Sequence, residues 1–210
     1  MSERTEIITK VLDQMFPDAH VELNHENTFQ LLIAVVLSAQ TTDVAVNQVT
    51  PTLFKNYRSP KALSEAKVTD VEHLLKTIGL YRNKAKNIIA IAHQIHHVYQ
   101  DEVPNKREQL EALPGVGRKT ANVVLSNAFH IPALAVDTHV ARVSIRLKLA
   151  KKEDNVLMIE QKLMRKFPKN QWTKLHHQLI FFGRYHCLAR NPKCIKCPLF
   201  DVCGYENKHQ

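Results

Sequence analysis

The chain is short of glycine, with five in 210 residues, and it has a single tryptophan. No stretch alternates apolar and polar side chains over the length of a strand, so a sheet with one face in water is not expected. The longest apolar run, Leu31–Leu37, is far shorter than the ~20 residues a membrane-crossing helix needs. The opening residues Met1-Ser2-Glu3-Arg4-Thr5-Glu6 are polar and include acids, unlike a secretory signal. These absences predict a cytosolic chain. There is no repeat, low-complexity tract, phosphate-binding P-loop or Ser-His-Asp arrangement. There is also no acidic two-metal cluster, which weighs against a magnesium-dependent nuclease. Cysteine is confined to four positions between 187 and 203. In a reducing compartment such a cluster reads as metal ligands rather than disulfides.

Basic charge is in excess. Lys and Arg number 29 against 20 acids, a formal net charge of +9. That balance favours a polyanionic partner, nucleic acid or an anionic surface, although it also serves simple solubility. Hydrophobic residues make up 44% of the chain, enough for a real core.

The apolar spacing is helical almost throughout. Ile7, Ile8, Val11, Leu12, Met15 and Phe16 share one face of a first helix that Pro17 ends. Thr28 is the expected cap of a second helix, apolar nearly all round and so central to the core. Thr42 or Asp43 caps a third, and Thr69 with Glu72 has the form of a capping box. Further helices are expected over 83–99, 107–112, 118–129, 138–149, 155–166 and 173–188. The spacing thus predicts an all-α protein of two lobes, with the Ile131-Pro132 step as the best boundary.

Leu113-Pro114-Gly115-Val116-Gly117-Arg118-Lys119 joins two helical patterns. Proline cannot continue the first helix, and two glycines permit a tight hairpin with positive φ. Val116 can plug back into the core. Backbone N–H groups of the hairpin and the next helical turn then point outward together, which suits a phosphate and reads no base sequence. An ordinary tight helix–helix turn would use the same residues.

The run Leu113–Asn122, followed by Val136-Asp137-Thr138-His139, resembles the helix–hairpin–helix DNA glycosylases, and within them the bacterial endonuclease III family. Leu37-Ser38-Ala39-Gln40-Thr41-Thr42-Asp43, Ile78-Gly79-Leu80-Tyr81 and the C-terminal cysteine spacing are similar too. The matches follow the family's order over essentially the whole chain. The resemblance implies a two-lobed fold. Residues 22–131 would form a six-helix, barrel-like domain containing the hairpin. Residues 1–21 and 132–210 would form a second helical domain, with a cluster loop at 187–203. It also implies a bifunctional enzyme that removes oxidised pyrimidines and cleaves 3′ to the abasic site through a lysine Schiff base. The implied partner is duplex DNA with damaged or abasic nucleotides, and the implied setting is a monomer on the bacterial nucleoid, in the cytoplasm.

Read alone, Lys119 is either a phosphate contact or an amine activated by the positive helix end, its basic neighbours (Arg118 and the Lys84 or Lys86 surface) and partial burial. The resemblance makes it the nucleophile. Asp137 is a helix cap by position, and a carboxylate held ionised there also suits a cationic transition state. The chain between them is long enough for both helix N-termini to meet. The resemblance makes Asp137 the second catalytic residue. A target base must leave the stack. Gln40, Ile78 and Leu80 match the family's gap-filling and wedging positions, and Asp43 matches one at the site's mouth. Gly115, Val116, Gly117 and Arg118 are the expected phosphate contacts. His139 is placed with the DNA-facing residues and orients the helix after Asp137. Cys187, Cys194, Cys197 and Cys203, spaced C-x6-C-x2-C-x5-C, suit tetrahedral zinc or a four-iron cluster. The resemblance selects one [4Fe–4S] cluster and no catalytic divalent metal. Arg190 and Lys193, in the first cysteine loop, are then expected at DNA phosphate.

Three further features read as background. His93, His96 and His97 form a solvated patch, His176 and His177 read likewise, and Trp172 is a packing residue. Two alternatives remain. An adenine-specific mismatch glycosylase would share the hairpin, the aspartate and the cluster. It would lack the nucleophilic lysine and add a recognition domain beyond the cysteines, so Lys119 and a chain ending soon after Cys203 weigh against it. A non-catalytic iron–sulfur DNA-binding protein or redox sensor is separated from the enzyme only by Lys119 with Asp137.

Overall fold

A computed structural model describes residues 2–209. Among these the regular structure is helical, with no strand. The α-helices are α1 (Glu3–Met15), α2 (Thr28–Leu37), α3 (Asp43–Asn56), α4 (Pro60–Ser64), α5 (Val68–Leu75), α6 (Tyr81–His97), α7 (Arg107–Glu111), α8 (Arg118–Ala128), α9 (Thr138–Arg146), α10 (Val156–Lys166) and α11 (Trp172–Phe181). A π-helical turn, Phe182–His186, continues α11. No described helix is long and apolar enough to cross a membrane. The chain divides into two compact units, Glu22–Ile131 and a discontinuous one made of residues up to Val21 together with Pro132 onward.

The continuous unit is built around α2. Every residue from Phe29 to Leu37 is buried, as its all-round apolarity predicts. The helix packs against α3, α6 and α8. Its cap is Asn27, whose side chain accepts from Gln30 N at 3.0 Å, so the helix starts one residue earlier than a Thr28 cap would allow. The expected Thr69–Glu72 capping box does not form. α5 begins at Val68 after Lys67, with no side-chain cap bond, because Val68, Val71 and Leu75 already share the inward stripe. α4, with Ser59 as cap and Pro60 in its first turn, is too short to leave a periodic signal. α8 is stopped by His130, at φ 53, while Ile131 N returns to Leu125 O at 3.0 Å.

The discontinuous unit has its own core, in which Ile8 and Leu12 of α1 meet Val140 and Val143 of α9, Leu163 of α10, and Leu175, Leu179 and Phe182. Its two chain segments are tied by polar contacts as well. Gln178 donates to Asp13 Oδ1 at 2.8 Å, Lys174 pairs with the same oxygen at 2.5 Å, and Arg4 donates to the carbonyl of Val202. The expected solvated reading of His176 and His177 is wrong. Both are buried, and His176 Nδ1 lies 2.8 Å from Ala135 O. Burial, with His176, His20 and Arg184 nearby, pushes the His177 pKa down to about 3. Trp172 packs against this core and donates its indole N–H to Phe167 O at 2.9 Å.

Candidate active site and cysteine cluster

In the continuous unit the hairpin is formed by α7, a tight turn and α8, which pack on each other. Val116 N donates to Leu113 O at 3.1 Å, and both side chains are buried. Gly115 sits at φ +75, and a Cβ there would lie 2.6 Å from Asn87 Nδ2 on α6. The positive φ strains any other residue, and a side chain there would also have to displace Asn87. Gly117 is extended, with nothing within 4 Å of a Cβ, so it faces open space. It caps α8 without any side-chain bond, and a helix N-terminus of this kind suits a phosphate. Arg118 and Lys119 follow, both exposed. The expected partial burial of Lys119 is therefore not found.

The same unit brings the Gln40 and Leu80 turns together. After α2, Gln40 lies at φ 54 in a turn closed by Thr41 N to Ser38 O at 3.1 Å. Before α6, Ile78 is buried, while Leu80 sits at φ 59 with 56% of its surface exposed. Between them, a Cβ on Gly79 would lie 3.9 Å from the Gln40 carbonyl. Lys84, read from sequence as surface, is buried, and its Nζ donates to Thr41 Oγ1 at 2.5 Å. Burial lowers its pKa. The signal was present, since Lys84 falls on the stripe Ile88, Ile91, Ile95 that buries α6. Asp43 opens α3, and Thr42 is the cap, accepting from Ala45 N at 3.3 Å.

In the discontinuous unit Asp137 caps α9, its Oδ1 accepting from Val140 N at 2.8 Å. His139 is half-buried, and burial lowers its pKa against the opposing pull of Asp137. Its Nδ1 is 3.3 Å from Arg142 Nη2, and a hydrogen bond to the Gly183 backbone partly offsets the effect of burial. The same guanidinium donates to Gly183 O at 2.8 Å and from Nε to Cys187 O at 3.2 Å. Gly183 permits this approach, because a Cβ there would lie 2.9 Å from His139 Cβ. One turn on, Arg146 donates to Leu188 O at 2.7 Å, Ala189 O at 3.3 Å and Cys187 Sγ at 3.3 Å, and stacks over Tyr205. The sequence reading missed both arginines. Their spacing of four from each other, on the helix that Asp137 opens, was the available clue.

Cys187, Cys194, Cys197 and Cys203 form no disulfide and line one cavity. Among the described residues no three His, Cys, Asp or Glu side chains converge to hold a single ion. Four thiols lining one cavity supply the donor set of a four-iron cluster. Burial pushes the Cys197 thiol up to about 11 and raises Cys194, with neighbouring cysteines adding to both. A cluster held by these four cysteines would have to displace their protons, and its positive charge would favour the thiolates. Arg190 and Lys193 are exposed on the loop between the first two cysteines.

Residues 33–169 match the model of the HhH-GPD superfamily of base excision DNA repair proteins, and residues 187–203 match the iron–sulfur binding domain of endonuclease III. Endonuclease III of Bacillus subtilis is 54% identical over 91% of this chain and 88% of its own length. That of Escherichia coli K12 is 46% identical over 99% and 97%. A solved trapped endonuclease III–DNA covalent intermediate superposes with a TM-score of 0.92 at 51% identity, covering 97% of each chain. A thermostable thymine-DNA glycosylase at 22% identity shares the fold, with a TM-score of 0.83. The hairpin, the capped α9 and a cysteine cavity that carries a [4Fe–4S] cluster thus belong to a member of the endonuclease III family of base-excision DNA repair enzymes.

Proposed function

We propose that this enzyme excises oxidised pyrimidines from duplex DNA and then cleaves 3′ to the abasic site by β-elimination, with Lys119 as nucleophile and Asp137 as its electrostatic partner. The chain is a DNA glycosylase and abasic-site lyase that acts on DNA. The neutral amine of Lys119 attacks C1′ of the extruded nucleotide, the C1′–N bond breaks, and the base leaves with a proton. Ring opening gives an iminium between Nζ and C1′. Loss of a C2′ proton then breaks the C3′–O bond and releases the 3′ phosphate, and water frees the lysine. Asp137 stabilises positive charge on the sugar and takes the proton that the lysine ammonium must lose.

The observation that supports this reading best is the position of Lys119. It is exposed in the first turn of α8, directly after a hairpin whose outward N–H groups lack a side-chain cap. In this reading Gly115, Val116, Gly117 and Arg118 anchor a phosphate, Gln40, Ile78 and Leu80 occupy the opened stack, and Asp43 and His139 border the reacting nucleotide. Residues 22–131 are then the domain of the hairpin, and 1–21 with 132–210 the domain of the cluster. The cluster, held by the four cysteines, stiffens the loop that offers Arg190 and Lys193 to phosphate. The working place of such an enzyme is the nucleoid in the bacterial cytoplasm.

Borohydride trapping on abasic-site DNA tests the mechanism. A covalent adduct forms with the native chain and is lost in Lys119→Gln. An undiminished adduct in that variant, or strand cleavage that collapses in EDTA, overturns it. A panel of single-lesion duplexes tests the substrate class, with oxidised pyrimidines expected to be cut ahead of oxidised purines.

A further inference from the structure

Lys84 is the one lysine or arginine among the buried side chains of the described residues, with 4% of its surface exposed. Burying an ammonium is costly, and an apolar side chain of similar volume would pack there at less expense. Its contacts suggest why the amine is kept. Through its backbone N–H, Lys84 closes the first turn of α6 on Leu80 O at 3.0 Å. Through Nζ it reaches Thr41, 43 residues away in sequence. One residue is thus tied both to Leu80 and to the neighbour of Gln40. Those two residues share an unusual state, with L side chains at φ 59 and φ 54 and both exposed. Left-handed backbone at non-glycine residues persists only where the surroundings hold it. Here the holding elements are the Ser38–Thr41 turn and the Lys84–Thr41 bond.

We infer that Lys84 is a positioning residue that presets Gln40 and Leu80 as a pair, so that both enter the duplex already shaped when a nucleotide leaves the stack. This rests on the proposed DNA-facing roles of Gln40 and Leu80. An untethered pair must find the left-handed conformation on the DNA, at the moment of extrusion. The cost then falls on forming the opened complex, most heavily where the target is still paired, and least where the base is already absent.

The test places 2-aminopurine opposite a damaged pyrimidine, so that fluorescence reports the unstacking of the partner base. Lys84→Met is expected to lose most of the fluorescence rise. It should also lose about tenfold in kcat/KM on the paired lesion, and less than that on an abasic site. Lys84→Arg, which keeps a donor, restores much of the signal. Thr41→Val, which leaves the lysine in place, reproduces the loss and adds nothing further to Lys84→Met. It also serves as the test if Lys84→Met does not fold. A native fluorescence rise in Thr41→Val, or additive losses in the double variant, overturns the inference. Gln40→Ala and Leu80→Ala separate its failure from that of the reading beneath it. If these abolish the rise while Thr41→Val does not, only the tether is wrong; if they too leave the rise intact, neither residue enters the stack and both ideas fall.

Discussion

At the scale of single residues, two side chains make opposite demands on protons and charge. His177 is held neutral in the folded chain, with a pKa of about 3 against the ordinary 6.5. The unfolded chain therefore binds one more proton than the folded chain between those values. Stability is intact above pH 6.5 and falls as the pH drops toward 3, by up to about 1.4 kcal/mol per unit from this group. Unfolding midpoints measured from pH 7 to pH 5 should decline, and His177→Gln should flatten the slope even though it lowers the midpoint at pH 7. Arg146 works on the other side of the ledger, giving an N–H and a positive charge to Cys187 Sγ. Hydrogen bonds to cluster sulfurs favour the reduced state. Voltammetry of Arg146→Met should show a potential lowered by on the order of tens of millivolts. An unchanged potential in a fully loaded variant would show that this contact has no electronic effect.

At the scale of elements, the hairpin offers a pair of substitutions with different expected outcomes. Gly115→Ala places a methyl against Asn87 at positive φ, and should cost about 1–3 kcal/mol of stability. Gly117→Ala meets no neighbour, so its unfolding midpoint should barely move. Its methyl nevertheless stands on the exposed cap of α8, where a phosphate would approach, and affinity for duplex DNA measured by fluorescence anisotropy should fall. Equal DNA affinity for native and Gly117→Ala chains would remove the phosphate role from the hairpin. These elements also show what the sequence makes legible. α2 is unmistakable because its apolarity leaves no face for water. The 113–119 turn is legible because proline and two glycines constrain the backbone locally. The start of α5 is not, since a good capping pair at Thr69 and Glu72 competes with an apolar stripe that begins at Val68, and packing wins. Lys119 and Asp137 could be proposed from motifs, but the exposure of the first and the burial of Lys84 are properties of packed helices. A charge on an apolar stripe is easily taken for a surface residue.

At the scale of the whole molecule, a net charge of +9 with several proposed phosphate contacts makes DNA affinity strongly dependent on salt. Binding should weaken on the order of a hundredfold or more between roughly 50 and 200 mM salt. Arg190→Gln and Lys193→Gln should each reduce the slope of log K against log salt by about one and weaken binding alike across sequences. A slope unaltered by both would mean that the cysteine loop does not touch the backbone.

The discontinuous unit, whose core joins α1 to α9, α10 and α11, has a consequence for how the polypeptide is made. On the ribosome α1 emerges first, but Ile8 and Leu12 find their partners only after residues 140–182 have followed. The inserted stretch Glu22–Ile131 is complete well before then and can close by itself. For that interval the apolar face of α1 has no partner from its own unit. The four cysteines lie at 187–203, beyond the helices that cover α1, so a cluster held by all four would form only once those helices have been made.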